Sequence, residues 1–347
     1  MAIVVLKLPD VKRKREDRPK RCPYCAGETF QRWGQVIKAV KDGRIRTVRV
    51  YRYRCCHCGR TFRHYPEGVS RADQTERMKK LAELCWVLGL SCRKAEQILG
   101  AFGVKLSFMS VWRDVQAGAQ KIVRRNQWQP VRVLGLDGAY VLGWGEKRPV
   151  LVAVDMGRGE PVALGYVDEY SPQAVQRFLE PLVQRLGVSV IVTDDLVSYR
   201  QVAERLELGH QVCQFHVRRW VNQALRELKK TLPEEWQGVL EEIKQLLMEL
   251  PADGHKRLYT LWKQTGMRLD RKRGITRPID QLRDLLIRLS QQWSSYVTFY
   301  GEPEIPWTNN ATERAIGMMK MRARTVRGYK NWQGMHNGLL LSGTTNN

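Results

Sequence analysis

The spacing of apolar positions changes several times along the chain, and each change predicts a different kind of element. From Val36 to Arg54, VIKAVKDGRIRTVRVYRYR reads as two strands of a β-hairpin turning at Asp42-Gly43. From Gln74 to about Arg125 the period becomes helical. A helix is expected over 76–88 and ended by Gly89, then a short one from Arg93 to Leu99 capped by Ser91. After a turn at Gly100 and Gly103, Ser107 opens a longer helix through Val111, Trp112 and Val115 to Ala119. Residues 126–130 form a linker, and the period then shortens to that of strands.

Here VRVLGLDGAYVLG is one strand, and RPVLVAVDMGRGEPVALGYV is two, turning between Asp155 and Glu160. SPQAVQRFLEPLVQRLG is an amphipathic helix starting at Ser171. VSVIVTDD is a buried strand ending in Asp194 and Asp195, SYRQVAERLEL a second helix and GHQVCQFH a last short strand. The order β-β-β-α-β-α-β resembles a ribonuclease H-like core, a mixed sheet in which an antiparallel meander is extended by parallel strands. In that topology the strand with Asp137 lies beside the one ending at Asp194. Residues 217–301 are helical again, divided at Pro233 and Pro251, and too long for a loop within a sheet domain. Next comes Trp307–Lys330, where Thr308, Asn309 and Asn310 initiate a helix and Gly328 stops it. Glu313 shares a stripe of that helix with Gly317, Lys320 and Arg324.

The fold class is therefore multidomain α/β. The expected divisions are a basic, mobile arm (1–20), a cysteine-rich ribbon (21–70), an all-α helix-turn-helix domain (74–125) and the first part of the sheet core (131–216). A helical insertion (217–304) and the last core helix with a tail (305–347) follow.

Charge changes the picture. The 347 residues carry 59 Lys+Arg against 35 Asp+Glu, a formal net charge of +24, in a chain that is 43% hydrophobic. That hydrophobic share argues against disorder, and the charge calls for a polyanionic partner: nucleic acid first, a membrane surface second. No apolar run approaches the ~20 residues of a membrane helix. MAIVVLKLPD sets a short apolar run before Lys12-Arg13-Lys14-Arg15, the reverse of a signal peptide, so a cytoplasmic, nucleoid-associated protein is expected. The eight cysteines then read as metal ligands or free thiols.

Two C-x-x-C knuckles, Cys22/Cys25 and Cys55/Cys58, flank the hairpin and can present four thiolates to a structural Zn²⁺, with Cys56 and His57 as spare donors. Arg44, Arg46, Arg49, Arg52 and Arg54 crowd the same hairpin, where they can meet phosphates. In the helical segment, Ser107, Ser110 and Arg113 would be the exposed readers of a DNA major groove; a plain three-helix packing module is the alternative. Carboxylates at neighbouring strand ends plus one on a packing helix can hold two Mg²⁺ (or Mn²⁺) ions for an in-line phosphoryl displacement. Asp137, Asp194 and Glu313 fit that set in chain order, with Asp195 the runner-up for the second position. The competing readings are an Asp-Gly turn at Asp137 and a capping box from Asn310 to Glu313.

The pieces LGLDGAY, VIVTDDLVSY, CQFHVRRW and TNNATERAIGMMKMRARTVRGYK give the chain its resemblance to a family. It resembles the bacterial insertion-sequence transposases of the DDE, ribonuclease H-like class, and is similar to those with a helical insertion, among them the Mutator-type enzymes. The resemblance implies binding of double-stranded DNA at transposon ends and at the target, metal-dependent strand cleavage and strand transfer, and a homodimer or higher homo-oligomer on DNA. It assigns the three acids to Asp137, Asp194 and Glu313. It also matches Cys213-x-x-His216 to an element that supports the active-site architecture. The ladder Lys320, Arg322, Arg324 and Arg327 would hold the phosphates of the cut strand. Two further readings use the same residues differently: a non-catalytic DNA-binding regulator derived from a transposase, and a structure-selective nuclease or resolvase.

Overall fold

In the computed structural model, which describes residues 8–15, 17–127, 129–266 and 277–344, strand β1 (Phe30–Ala39) pairs antiparallel with β2 (Thr47–Cys55). The connection is broader than a two-residue turn. It wraps around the Asp42 carboxylate, whose Oδ1 accepts from the N–H groups of Arg44 (2.7 Å) and Ile45 (3.3 Å). A short third strand, β3 (Thr61–His64), adds to β2. Of the segment 1–20 expected to be a mobile arm, residues 1–7 and 16 lie outside the described residues; in the rest, Lys12 N–H donates to the Glu67 carbonyl, and Arg49 N–H to that of Arg13.

Helices α1 (Glu76–Val87), α2 (Cys92–Ala101) and α3 (Phe108–Asn126) follow. Ser91 and Ser107 cap α2 and α3, accepting from the N–H groups of Lys94 (3.2 Å) and Ser110 (3.3 Å). Met78, Ala82, Leu99 and Val111 form their core. Thr75 caps α1, and its hydroxyl also donates to Asp42 at 2.6 Å. Arg77 grips the same carboxylate through two nitrogens, at 2.7 and 3.2 Å, so the ribbon loop and α1 share one fully buried anion.

The sheet region contains β4 (Val133–Gly143), β5 (Glu146–Asp155), β6 (Glu160–Gly165), α4 (Pro172–Leu186), β7 (Val190–Thr193), α5 (Val197–Arg205) and β8 (Gly209–Val212). Strand order is β6-β5-β4-β7-β8; β4, β5 and β6 form an antiparallel meander, while β7 and β8 add in parallel. This is the mixed sheet the element order predicts. Ser171 caps α4, and Gly187, left-handed at φ 74°, ends it. The last strand stops at Val212, so Cys213 to His216 turn into α6 (Gln214–Thr231) rather than completing a strand. Three further helices, α7 (Gln237–Glu249), α8 (Gly254–Gln264) and α9 (Pro278–Tyr296), bury Val221, Leu246, Leu286 and Trp293 together with α6. Helix α10 (Asn310–Val326) ends where Arg327 and Gly328 take positive φ. Helix α11 (Trp332–Thr344) sets Leu341 against Trp86, Val115 and Ala119. By compactness the chain divides into residues 123–320 and a unit built of 1–122 with 321–347.

Candidate active site and metal centre

The ribbon brings Cys22, Cys25, Cys55 and Cys58 together, with all four Sγ atoms within 4.8 Å of one another. Cys22 and Cys58 sulfurs lie 3.8 Å apart, Cys25 and Cys55 sulfurs 3.6 Å. A tetrahedral ion with metal–sulfur bonds of about 2.3 Å requires sulfur separations of about 3.8 Å, so the cluster fits Zn²⁺ without rearrangement. The Cys58 N–H is the main cause of the Cys55 thiol falling to about 6, which favours a thiolate.

At the sheet, Gly135 of β4 is level with Val192 of β7 in the parallel register. Asp137 lies two residues further on within β4, and Asp194 directly follows Thr193, the last residue of β7, near enough for its charge to act on Asp137. Burial first, then the charges of Glu169 and Asp194, push the Asp137 carboxyl up to about 7. Burial and Glu169 push Asp194 up to about 6. Asp194 Oδ1 is solvent-inaccessible and accepts no hydrogen bond among the described residues. Asp195 is committed elsewhere: Arg200 donates to its Oδ1 at 2.9 Å and Arg288 to its Oδ2 at 2.6 Å. Asp155 and Asp168 cap turns, accepting from Gly157 N–H and Tyr170 N–H.

Glu313 reaches this region on α10, whose start is tied to β4. Asn309 Nδ2 donates to the Leu136 carbonyl at 2.9 Å, and a Cβ on Gly135 would sit 2.1 Å from Thr312 Oγ1. Gly135 therefore lets the helix start lie directly on the strand. Asn309 spends its side-chain donor on the strand, and no capping-box bond joins Asn310 and Glu313 among the described residues. The Glu313 carboxylate groups with Cys213 Sγ and His216 within 4.8 Å, its Oε1 3.8 Å from His216 Nε2. No comparably tight cluster unites it with Asp137 and Asp194 among the described residues. The Cys213 thiol, and after it the Glu313 and Asp194 charges, raise His216 above its ordinary value. Burial opposes ionisation of Cys213, but His216 and the Asn309 N–H outweigh it and lower the thiol.

Glu169 has no counterpart in the sequence reading, which left it between a strand and the Ser171 cap. Tyr199 O–H donates to its Oε2 at 2.8 Å, and a Cβ on Gly138 would fall 2.2–2.3 Å from its carboxylate. Of the expected DNA-contacting residues, Arg113, Lys320 and Arg324 are exposed. Ser107 is exposed and Ser110 half-buried, their hydroxyls 3.1 Å apart. Arg322 leaves the basic ladder, because it is buried over the Trp86 ring and donates to the Leu90 carbonyl at 3.2 Å.

Among the described residues no helix is long and apolar enough to cross a membrane. The chain is similar to the "Insertion element ISM1 uncharacterized 48.3 kDa protein" of Methanobrevibacter smithii, 21% identical over 211 residues that cover 59% of this chain and 53% of that protein. The chain thus spans about half the length of this curated relative. The model of the IS66 family of transposases matches residues 150–337, which include Glu169, Asp194, Cys213, His216 and Glu313 and begin shortly after Asp137. With more than half of its length in that match, the chain belongs to the IS66 transposase family.

Proposed function

We propose that the protein is a DDE transposase with a ribonuclease H-like catalytic core, which binds transposon ends, cuts DNA strands and transfers them. The observation that carries this reading is the parallel pairing of β4, which holds Asp137, with β7, which leads into Asp194, with the Glu313 helix tied to the residue before Asp137. Asp194 is favoured over Asp195 as the second acid because two arginines already satisfy Asp195. The donor set suits a hard cation: Asp194 Oδ1 and Glu313 Oε1 are both shielded from solvent and accept no hydrogen bond among the described residues, a state that Mg²⁺ or Mn²⁺ would relieve. Held by Asp137, Asp194 and Glu313, a pair of such ions supplies Lewis acidity for in-line displacement at phosphorus. His216 Nε2 lies 3.8 Å from Glu313 Oε1, and the rise in its proton affinity, due first to Cys213, favours an ion pair between them.

DNA binding falls to the other unit. Zn²⁺ on Cys22, Cys25, Cys55 and Cys58 holds the ribbon together, and the helix-turn-helix offers Ser107, Ser110 and Arg113 to the major groove. Since Ser107 is occupied in capping, Arg113 is the strongest base reader of the three. Lys320 and Arg324 contact phosphates, and the working form is a homo-oligomer on DNA. The test is Asp137→Asn, Asp194→Asn and Glu313→Gln, each of which should abolish Mg²⁺-dependent cleavage of element-end DNA and leave DNA binding intact. Full cleavage by the Glu313→Gln protein would sink its role.

A further inference from the structure

Glu169 acts electrostatically on both Asp137 and Asp194, yet among the described residues no Lys, Arg or His pairs with it. An unused acid in a half-buried position is ordinarily neutralised by a cationic side chain or exposed to water. Glu169 is instead aimed. The fully buried Tyr199 donates to its Oε2, and Ser198 Oγ donates to its backbone carbonyl. Both donors belong to α5, the helix that begins directly after Asp194 and Asp195. The turn that presents Asp194 therefore also fixes Glu169. On the other side, the carboxylate lies over Gly138, next to Asp137, in space that any side chain at 138 would fill.

We propose that Glu169 adds a fourth carboxylate to the divalent-cation site of Asp137 and Asp194, aimed by Tyr199 and given room by Gly138. This rests on the reading of Asp137 and Asp194 as cation ligands. The Glu169 charge bears on both aspartates, Asp194 Oδ1 accepts no hydrogen bond among the described residues, and a hard divalent cation is the group that offsets such repulsion.

The experiment is a Mn²⁺ titration of the full chain without DNA, with free Mn²⁺ followed by electron paramagnetic resonance. Asp137→Asn serves as control, and thermal melts check folding. Glu169→Gln should weaken Mn²⁺ binding about 10- to 100-fold, the range seen when groups supporting a metal site are removed. Tyr199→Phe keeps the packing but frees the carboxylate, so it should weaken binding less; Glu169→Asp should recover part of the loss. If Asp137→Asn loses Mn²⁺ while Glu169→Gln keeps wild-type affinity and stoichiometry, the role of Glu169 is refuted and the cation site stands. Should Glu169→Gln not fold, wild-type affinity in both Tyr199→Phe and Glu169→Asp refutes it equally. Wild-type binding by Asp137→Asn would instead overturn the cation-site reading on which the inference rests.

Discussion

Adjacent residues leaving a strand point to opposite faces, and Asp194 and Asp195 follow that rule into different environments. Asp195, its side chain 6% exposed, is held between Arg200 and Arg288, whereas Asp194 has a buried oxygen without a partner. Asp195→Ala would strand two guanidinium groups, so it should destabilise the fold by roughly 2–4 kcal/mol, less than a wholly buried pair because Arg288 is partly in solvent. Chemical denaturation would measure that loss, and Mn²⁺ binding should survive in the folded fraction. A stable Asp195→Ala protein that cannot bind Mn²⁺ would reverse the assignment of the two acids. A second residue-scale prediction concerns Asp114, buried beneath Gln74, whose Nε2 donates to its Oδ2 at 2.6 Å. Burial pushes this carboxyl up to about 6. Because the folded value exceeds the unfolded one of about 3.9, the folded state binds the proton more tightly. The associated stability is full below about pH 4 and lost as pH rises through about 6. Asp114→Asn should therefore match wild type near pH 4 and exceed it at pH 8 by up to about 2 kcal/mol, read from melting curves at both pH values. Asp137, Asp194 and Glu313 stand out as candidates in the sequence because each has a recognisable place: within an apolar strand, directly after one, or in the first turn of a helix. Glu169 could not. Its surroundings, Asp168-Glu169-Tyr170, look like any polar connection, and its placement comes from Tyr199, thirty positions on in the chain.

Elements were legible where local chemistry decides them. Ser91, Ser107 and Ser171 cap the helices their positions predict, and the turn from Asp155 to Glu160 joins β5 to β6. Three things were not. Strand β3 is four residues long and exists because β2 offers a free edge; nothing in Thr61–His64 announces it. GHQVCQFH continues the apolar pattern of β8, yet Cys213 to His216 turn away toward α6. The helix-start asparagine has the chemistry of a cap, but Asn309 Oδ1 accepts no hydrogen bond among the described residues, and its Nδ2 donates instead to the Leu136 carbonyl, far away in sequence. With an ion on its four cysteines, the ribbon would depend on that ion more than on packing. Its apolar core is small, led by Val40, Ile45, Val48, Val50 and Val69. Structural zinc contributes on the order of 10 kcal/mol to the folding of small metal domains. Stripping the ion with a strong chelator, or replacing Cys55 by Ser, should therefore unfold β1–β3 and leave the core around Trp293 intact. Hydrogen exchange would resolve the two regions; continued protection of Val48 and Val50 without metal would rule out this dependence.

For the whole molecule, a charge of +24 on a chain of the IS66 transposase family is in keeping with a nucleic-acid partner. The buried Asp42 clamp bears on how such a partner would be measured out. Asp42 shapes the ribbon loop while holding Thr75 and Arg77 at the entrance to α1, and its side chain is fully buried. If ribbon and helices both contact DNA, as proposed above, this joint makes them two reading heads on one ruler. A ruler tolerates no change in the spacing of its marks. One base pair inserted between the DNA stretches protected by the ribbon and by α3 should turn the second head by about a tenth of a helical turn. Binding in a gel-shift titration should then fall to the level of a single head, and Asp42→Ala, by loosening the joint, should restore tolerance to the insertion at the cost of affinity for the native spacing.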